Sequence, residues 1–86
     1  MKRKSHAKRR DANEPEIVKA LRGVGATIVY LDWVDLLVLY EGDVHLLEVK
    51  TKIGKLTETQ KKNFPGWPIH IVRTPEAALL AIGVER

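Results

Sequence analysis

The pattern of apolar and polar residues predicts seven secondary-structure elements after residue 10. Ile17, Leu21 and Val24 recur at helical spacing, which predicts a first helix that ends at the glycines around residue 24. The rest of the pattern predicts strands over residues 26–31, 34–40 and 44–50, a helix over 57–64, a strand over 69–73 and a helix over 75–82. This order predicts an α/β fold in which helices flank a mixed four-stranded sheet.

Local signals indicate how the second and third strands and the second helix are formed. The sequence Glu41-Gly42-Asp43 predicts a turn that joins the second and third strands as a hairpin. The nearly continuous apolar run over residues 34–40 is typical of a strand that is buried on both faces. Thr57 and Gln60 have the spacing of a capping box, which predicts that the second helix begins there.

The composition limits the chain to one small domain. Eighty-six residues with 44% hydrophobic content suffice for one core, which we place in residues 11–86. The absence of cysteine excludes disulfides, thiolate zinc sites and cysteine nucleophiles. No apolar run approaches the roughly 18–20 residues of a membrane span, and no apolar segment follows the charged N-terminus. We therefore expect a soluble cytoplasmic protein without a membrane partner.

The net charge of +4 comes from the N-terminus. Residues 1–10 contain six lysines and arginines and no acid, so we interpret them as a flexible basic tail in which Arg9 and Arg10 contact nucleic acid. Residues 11–86 contain nine basic and eleven acidic residues, a net charge of −2.

One segment of this acidic body is nevertheless basic. Residues 50–62 contain five lysines and a single acid, which predicts a surface for DNA phosphates beside the site described next. The lysines are Lys50, Lys52, Lys55, Lys61 and Lys62. A solvated loop and helix face without a ligand is the alternative.

Two acids lie inside apolar strands, Asp35 in the second and Glu48 in the third. Burial of an ionised carboxylate is costly unless the charge is compensated. A turn at Glu41-Gly42 would pair Asp35 directly with Glu48, whereas a turn at Gly42-Asp43 would place the two acids diagonally. Both registers put them on one face of the sheet together with Lys50, because side chains alternate along a strand.

Two neighbouring carboxylates indicate a site for a hard cation, Mg²⁺ or Mn²⁺. A lysine beside such an ion can orient or deprotonate the water that attacks a phosphate ester. We therefore predict that Asp35 and Glu48 bind metal and that Lys50 is catalytic. A structural salt bridge between Lys50 and one of the acids is the alternative.

The first helix offers a third acid. At about 100° per residue, Glu14 projects toward the apolar stripe, whereas Glu16 points away from it. Glu16 has a sufficient role as the capping-box partner of Asn13, so we prefer Glu14 as the site acid, bound to the metal directly or through water. Gln60 has either its capping role or a role in the site, since it too can face inward.

Asp35, followed after twelve residues by Glu48-Val49-Lys50, resembles the active-site motif of the PD-(D/E)xK nucleases. The ordered segments 11–18, 34–38, 47–50 and 54–60 resemble the small viral and phage VRR-NUC domains, and the resemblance covers residues 11–83. One departure is Asp32-Trp33-Val34, which stands where relatives typically have Gly-x-Pro. Asp32 lies three residues before Asp35, so we expect it on the opposite face.

The resemblance implies a restriction-endonuclease-like αβββαβα core and a magnesium- or manganese-dependent DNA endonuclease similar to Holliday-junction resolvases. It implies that the backbone carbonyl of Val49 joins Asp35 and Glu48 as a metal ligand, and that Lys50 positions the attacking water. Glu14 and Gln60 would support the site.

The resemblance also implies a substrate, an assembly and a setting. The substrate would be branched DNA such as a four-way junction, and the protein would be a homodimer in a bacterial or phage-infected cell. Trp67 would be either an interface anchor or a core filler. The alternative function is a non-catalytic DNA-binding accessory that uses the basic tail and residues 50–62.

Overall fold

A mixed four-stranded sheet forms the centre of the protein. The computed structural model describes residues 11–85, apart from the side chain of Asn63, so the predicted basic tail with Arg9 and Arg10 lies outside the described residues. The elements are α1 (Glu14–Gly23), β1 (Thr27–Tyr30), β2 (Leu36–Tyr40), β3 (Asp43–Val49), α2 (Glu58–Asn63), β4 (Ile69–Val72) and α3 (Pro75–Ala81). The predicted α/β fold with its αβββαβα order is confirmed.

The strands lie in the order β1-β2-β3-β4. β1, β2 and β3 are joined by antiparallel pairing, because short turns connect them, and β4 pairs with β3 in parallel after the crossover that contains α2. None of the helices in residues 11–85 is long and apolar enough to cross a membrane.

The core lies between one face of the sheet and the two longer helices. α1 packs against α3 and β1, and α3 packs against β4. The apolar stripe of α1 is buried as its spacing predicts. The core cluster consists of Ile17, Val18, Leu21, Ala26, Leu36, Val38, Leu47, Val49, Val72, Ala78 and Ile82.

The opposite face of the sheet is only partly covered. Leu39 on β2, Val44 on β3 and Ile71 on β4 are exposed there, so the prediction that the run 34–40 is buried on both faces is wrong. The physical reason is that α2, which lies on this side, has only six residues and covers one end of the sheet. That end holds the candidate site.

The second strand begins later than the apolar run predicts. The backbone N–H of Leu31 donates to the carbonyl of Asp35 at 2.9 Å, which closes a turn over residues 31–35. Val34 and Asp35 therefore lie in this turn, although both are buried. The strand starts at Leu36.

The hairpin turn consists of Glu41 and Gly42, with Tyr40 paired to Asp43. Glu41 has a φ of 50° and Gly42 a φ of 87°, as a two-residue turn that follows the sheet twist requires. Of the two predicted registers, the turn at Glu41-Gly42 is correct and the turn at Gly42-Asp43 is wrong.

This turn gives a prediction about stability. Gly42→Ala is expected to lower the free energy of unfolding by about 1–2 kcal/mol, because an alanine side chain is strained at positive φ. Gly23→Ala is the matched control: Gly23 is the last residue of α1, an added Cβ there meets nothing within 4 Å, and alanine favours the helix. Urea unfolding of both variants measures the effects. Destabilisation by both substitutions to the same extent would contradict this account of the turn.

Candidate active site

The hairpin register brings the two buried acids together. Leu36 pairs with Leu47, so the next position outward places Asp35 opposite Glu48. Asp35 is 4% exposed and Glu48 is 1% exposed. The predicted convergence of the two carboxylates is confirmed.

Each acid is bound by the backbone that carries the other. The backbone N–H of Asp35 donates to Oε1 of Glu48 at 3.2 Å. The backbone N–H of Val49, the residue after Glu48, donates to Oδ2 of Asp35 at 2.7 Å. These crossed hydrogen bonds orient both carboxylates, since each is held by a backbone N–H group.

Lys50 lies on the same side of the sheet as the acid pair. Its Nζ is 3.3 Å from Oε2 of Glu48, and its side chain is 12% exposed. The predicted position of Lys50 beside Glu48 is confirmed. This geometry alone fits both the catalytic prediction and the alternative of a structural salt bridge.

Gln60 caps α2, as one of the two predictions has it, and also contacts the acid pair. Its Oε1 accepts from the backbone N–H of Thr57 at 2.9 Å, and its own backbone N–H donates to Oγ1 of Thr57 at 3.1 Å, which completes the capping box of α2. Its Nε2 donates to Oε2 of Glu48 at 2.7 Å. One side chain therefore caps α2 and attaches that helix to the acid pair.

The two roles can be separated by mutation. Thr57→Ala removes one capping bond and is expected to cost about 1 kcal/mol of unfolding free energy. Gln60→Ala removes a capping bond and also a hydrogen bond to a buried carboxylate, so it is expected to cost about 2–3 kcal/mol. Urea denaturation of both variants measures the difference. Equal losses would show that the contact between Gln60 and Glu48 contributes nothing.

The start of α1 is attached to the backbone around Lys50. Nδ2 of Asn13 donates to the carbonyl of Lys50 at 3.0 Å and to that of Arg73 at 2.9 Å. Oδ2 of Asp11 accepts from the backbone N–H of Thr51 at 3.0 Å. The predicted capping box of Asn13 and Glu16 is wrong, because the Asn13 amide bonds across to the ends of β3 and β4 instead of capping α1.

Arg73 holds the loop that follows Lys50. Its Nη1 donates to the carbonyl of Thr51 at 2.6 Å and to that of Gly54 at 2.7 Å. The local sequence pattern indicates neither this role of Arg73 nor this role of Asn13. The parallel pairing of β3 and β4 could have placed Arg73 near this loop, because parallel strands end at the same edge of a sheet.

Glu14 faces inward and Glu16 is exposed, as the helical spacing predicts. Within residues 11–85, however, no three histidine, aspartate or glutamate side chains are grouped so that they could hold one metal ion. Glu14 therefore does not complete a three-acid cluster with Asp35 and Glu48. The reason is that α1 covers one face of the sheet, whereas the Glu48 side chain projects from the other.

Without Glu14, the oxygen atoms of Asp35, Glu48 and Val49 still suit a divalent cation. Mg²⁺ commonly binds proteins through one or two carboxylates and keeps several waters, so Asp35 and Glu48 suffice. The N–H of Val49 points toward Asp35, and the carbonyl of the same residue leaves the strand on the same side. This set of hard oxygen atoms suits Mg²⁺ or Mn²⁺.

The other predicted DNA contacts are accessible. Lys52, Lys55, Lys61 and Lys62 are exposed, and Nζ of Lys61 is 3.6 Å from Glu58, the single acid of the segment. They lie on the loop that Arg73 holds and on α2, which attaches to Glu48 through Gln60. The lysine surface thus borders the acid pair, and its contact with DNA stays a prediction.

An aromatic cluster lies beside this surface. The ring of Trp33 is 6.1 Å from that of Phe64 and 5.1 Å from that of Trp67, both in edge-to-face contact. Trp67 is 56% exposed, so it is not a core filler. Asp32, just before Trp33, is exposed and does not compete with Asp35.

Comparisons of the chain with protein families, with curated proteins and with solved structures find no match. The acid pair, its surroundings and the motif resemblance are therefore the features that bear on function.

Proposed function

We propose that the protein is a divalent-metal-dependent endonuclease that hydrolyses phosphodiester bonds in branched DNA. The observation that carries the proposal is the convergence of Asp35, Glu48 and Lys50 at one end of the sheet. The two carboxylates are buried, each accepts a hydrogen bond from a backbone N–H beside the other, and the lysine ammonium lies 3.3 Å from one of them. The spacing of these residues in the chain matches the nuclease motif described above.

Asp35, Glu48 and the carbonyl of Val49 would hold Mg²⁺ or Mn²⁺. When bound, such an ion supplies positive charge to the reacting phosphate and promotes ionisation of a water molecule. The protein's contribution is to fix the carboxylates before substrate arrives: the Val49 N–H holds Asp35, and Gln60 holds Glu48.

Lys50 would act on the water and the phosphate. Its ammonium group is held at Glu48 but remains partly exposed, so it can donate a hydrogen bond to a group arriving from solvent. A cation in this position orients the attacking water and offsets the charge that develops on the phosphate oxygens. The salt bridge with Glu48 then positions the lysine, and the structural and catalytic roles are compatible.

The lysine surface supports DNA as the substrate. The exposed lysines 52, 55, 61 and 62 follow directly from the catalytic lysine, and contacts to phosphates read backbone and shape without base sequence. A homodimer would present two such sites to the two strands of a junction with two-fold symmetry. We therefore propose a homodimer and a four-way junction as the assembly and the substrate.

A cleavage assay tests this function. An end-labelled four-way junction, a flap and a linear duplex of the same sequence are incubated with the protein in Mg²⁺, Mn²⁺ or EDTA. We expect metal-dependent cuts near the branch point and an intact linear duplex. Degradation from the ends of all substrates would indicate an exonuclease, and an absence of cleavage with either ion would contradict nuclease function.

A non-catalytic DNA-binding protein is the second candidate. It is favoured by the hydrogen bonds that protein groups already make to both carboxylates, which would suffice for a structural role. Thermal unfolding distinguishes the two candidates. The endonuclease is expected to have a higher Tm in Mn²⁺ than in EDTA and to lose that shift in Glu48→Gln, because a ligand that binds only the folded state stabilises it. An accessory protein would have the same Tm in Mn²⁺ and in EDTA, for the wild type and for Glu48→Gln alike.

A further inference from the structure

The two tryptophans of the chain lie together on the surface of the protein. Trp33 is 42% exposed and Trp67 is 56% exposed, and their rings contact each other in the aromatic cluster whose buried member is Phe64. Single exposed apolar residues are ordinary, whereas adjoining exposed aromatic rings are typical of a surface that binds another molecule. The cluster is therefore a candidate binding surface.

The cluster lies on the same face of the sheet as the acid pair. Gln60 donates to Oε2 of Glu48, so α2 lies on the face from which Glu48 projects. The backbone N–H of Phe64 donates to the carbonyl of Gln60 at 2.9 Å, which places Phe64 one helical turn after Gln60 on the same side of α2. Trp33, which contacts Phe64, therefore lies on this face too.

The cluster is also close to the acid pair along a bound strand. Trp33 comes two residues before Asp35, and two residues of chain span at most about 7 Å. One strand of DNA advances about 3.4 Å per nucleotide. A strand whose phosphate lies at the acid pair thus has its next few nucleotides within reach of the aromatic rings.

A tight turn holds Trp67 in place. The backbone N–H of Trp67 donates to the carbonyl of Phe64 at 3.0 Å. Pro65 and Gly66 are the two central residues of this turn, and the φ of 87° at Gly66 is that of a type II turn. The carbonyl of Trp67 accepts from the N–H of Ile69 at 2.8 Å. Because both backbone groups of Trp67 are bonded, little conformational entropy is lost when a ligand contacts its ring.

The surroundings of the cluster are positively charged. Lys61 and Lys62 are exposed on α2 between Gln60 and Phe64, and residues 59–75 contain no acid. Accessible aromatic rings beside a basic surface are typical of proteins that bind single-stranded nucleic acid, because bases stack on the rings while cations hold the phosphates. The cluster and the lysine surface together provide both kinds of contact.

A second copy of the chain is a less suitable partner for this surface. In a dimer with two-fold symmetry the same surface of both subunits meets. The lysines beside the cluster would then face the same lysines of the other subunit, and like charges brought together in an interface are unfavourable. A nucleic-acid strand instead offers aromatic bases together with negative charge. The proposed homodimer would therefore form through another surface.

We propose that Trp33 and Trp67 form a stacking surface for unpaired bases of the DNA strand that is cleaved. The inference rests on the proposed endonuclease function and adds the feature of branched DNA that the protein recognises. Bases at a branch point leave the helical stack at low cost, whereas bases of an intact duplex must first be unpaired. The surface thus favours branched DNA without reading its sequence, because every base has an aromatic face.

Tryptophan fluorescence measures this binding without cleavage. Trp33 and Trp67 are the only tryptophans of the chain, so its tryptophan emission reports on the cluster alone. Full-length protein in EDTA is titrated with single-stranded oligothymidylate and with an abasic strand of the same length, which keeps the phosphates and lacks the bases. We expect oligothymidylate to quench the emission. The abasic strand should quench little and bind at least about tenfold more weakly, as measured by anisotropy of labelled strands.

Substitutions identify the ring that is responsible. Trp67→Leu is expected to weaken oligothymidylate binding by about tenfold, and Trp67→Phe should keep most of the affinity because it retains a ring. Tyr30→Leu is the matched control. Tyr30 is 49% exposed but lines a cavity on the α1 side of the sheet, so its replacement should leave the affinity at the wild-type value. Trp67 lies outside the helices and strands, so the fold should persist, and circular dichroism checks it.

The outcomes separate this inference from the proposed function. Equal affinities for oligothymidylate and the abasic strand, or an unchanged affinity in Trp67→Leu, would overturn the stacking surface. Dissociation of a dimer in Trp67→Leu with unchanged DNA affinity would also overturn it, since the cluster would then be a subunit contact. If the wild type cuts a junction and Trp67→Leu cuts it with the same KM, the inference fails and the endonuclease stands. If oligothymidylate quenches the emission as expected but no DNA is cut in Mg²⁺ or Mn²⁺, the stacking surface is supported and the endonuclease is contradicted.

Discussion

Replacement of Asp35 by asparagine is expected to reduce metal-dependent cleavage of branched DNA by about a hundredfold or more. Asparagine has nearly the same shape, and its amide oxygen can still accept the hydrogen bond that the N–H of Val49 donates to Asp35. It lacks the negative charge that a divalent cation requires. The variant should therefore fold and bind DNA while its cleavage rate falls.

Asp32→Asn is the matched control for this substitution. Asp32 is an exposed aspartate three residues earlier in the chain, so the same chemical change there should leave cleavage close to wild type. Initial rates on a four-way junction in saturating Mg²⁺ measure both effects, and circular dichroism checks the fold. Asp35→Asn with the rate of the wild type, or an equal loss in Asp32→Asn, would show that Asp35 is not a metal ligand.

Lys50→Ala is expected to lower the cleavage rate by roughly a hundredfold to ten-thousandfold, with little change in DNA affinity. The loss arises because no other described group is placed 3.3 Å from Glu48 with an ammonium that reaches the incoming water. Glu48 retains its hydrogen bonds from Gln60 and from the backbone of Asp35, so the fold should survive. Single-turnover rates at saturating enzyme isolate the chemical step from binding.

Lys52→Ala is the control for charge. Lys52 is exposed and two residues farther along, so its loss should weaken DNA binding a few-fold and leave the rate at saturation unchanged. The opposite pattern for Lys50, a weaker affinity with an unchanged rate, would place it among the phosphate contacts and remove it from catalysis.

The order of helices and strands could be predicted from the sequence because each element has a clear period or boundary signal. The first residue of β2, and how much of the second face of the sheet is covered, could not be predicted. The turn that starts β2 depends on a hydrogen bond from Leu31 to Asp35, and the exposed side of Leu39 depends on how short α2 is. Both are properties of packing that a local apolar run does not encode.

The acid pair could be predicted because it depends only on whether the number of residues in the hairpin turn is even or odd. A two-residue turn keeps Asp35 and Glu48 on one face in either register, so the convergence did not require the correct choice. Sequence spacing also predicted that Lys50 lies beside Glu48 and that Glu14 faces inward. It could not show that Glu14 is separated from Glu48 by the sheet, because that depends on which face α1 covers.

The residues that the sequence did not indicate act through long-range contacts. Asparagine is a residue type that favours helix N-caps, but the amide of Asn13 bonds to the carbonyls of Lys50 and Arg73, which are 37 and 60 residues away. Arg73 bonds to two loop carbonyls that only the parallel pairing of β4 brings near. Such contacts follow from the assembled sheet, and a helical or strand period carries no information about them.

We propose that Asp35 and Glu48 hold the metal ion of a nuclease. The most direct measurement is anomalous diffraction at the manganese edge from crystals of the wild type soaked in Mn²⁺, with Asp35→Asn crystals as the reference. We expect an anomalous peak between the carboxylates of Asp35 and Glu48 in the wild type and a weak or absent peak in the variant. Wild-type crystals with no peak at this pair, or an equal peak in the variant, would contradict the proposal.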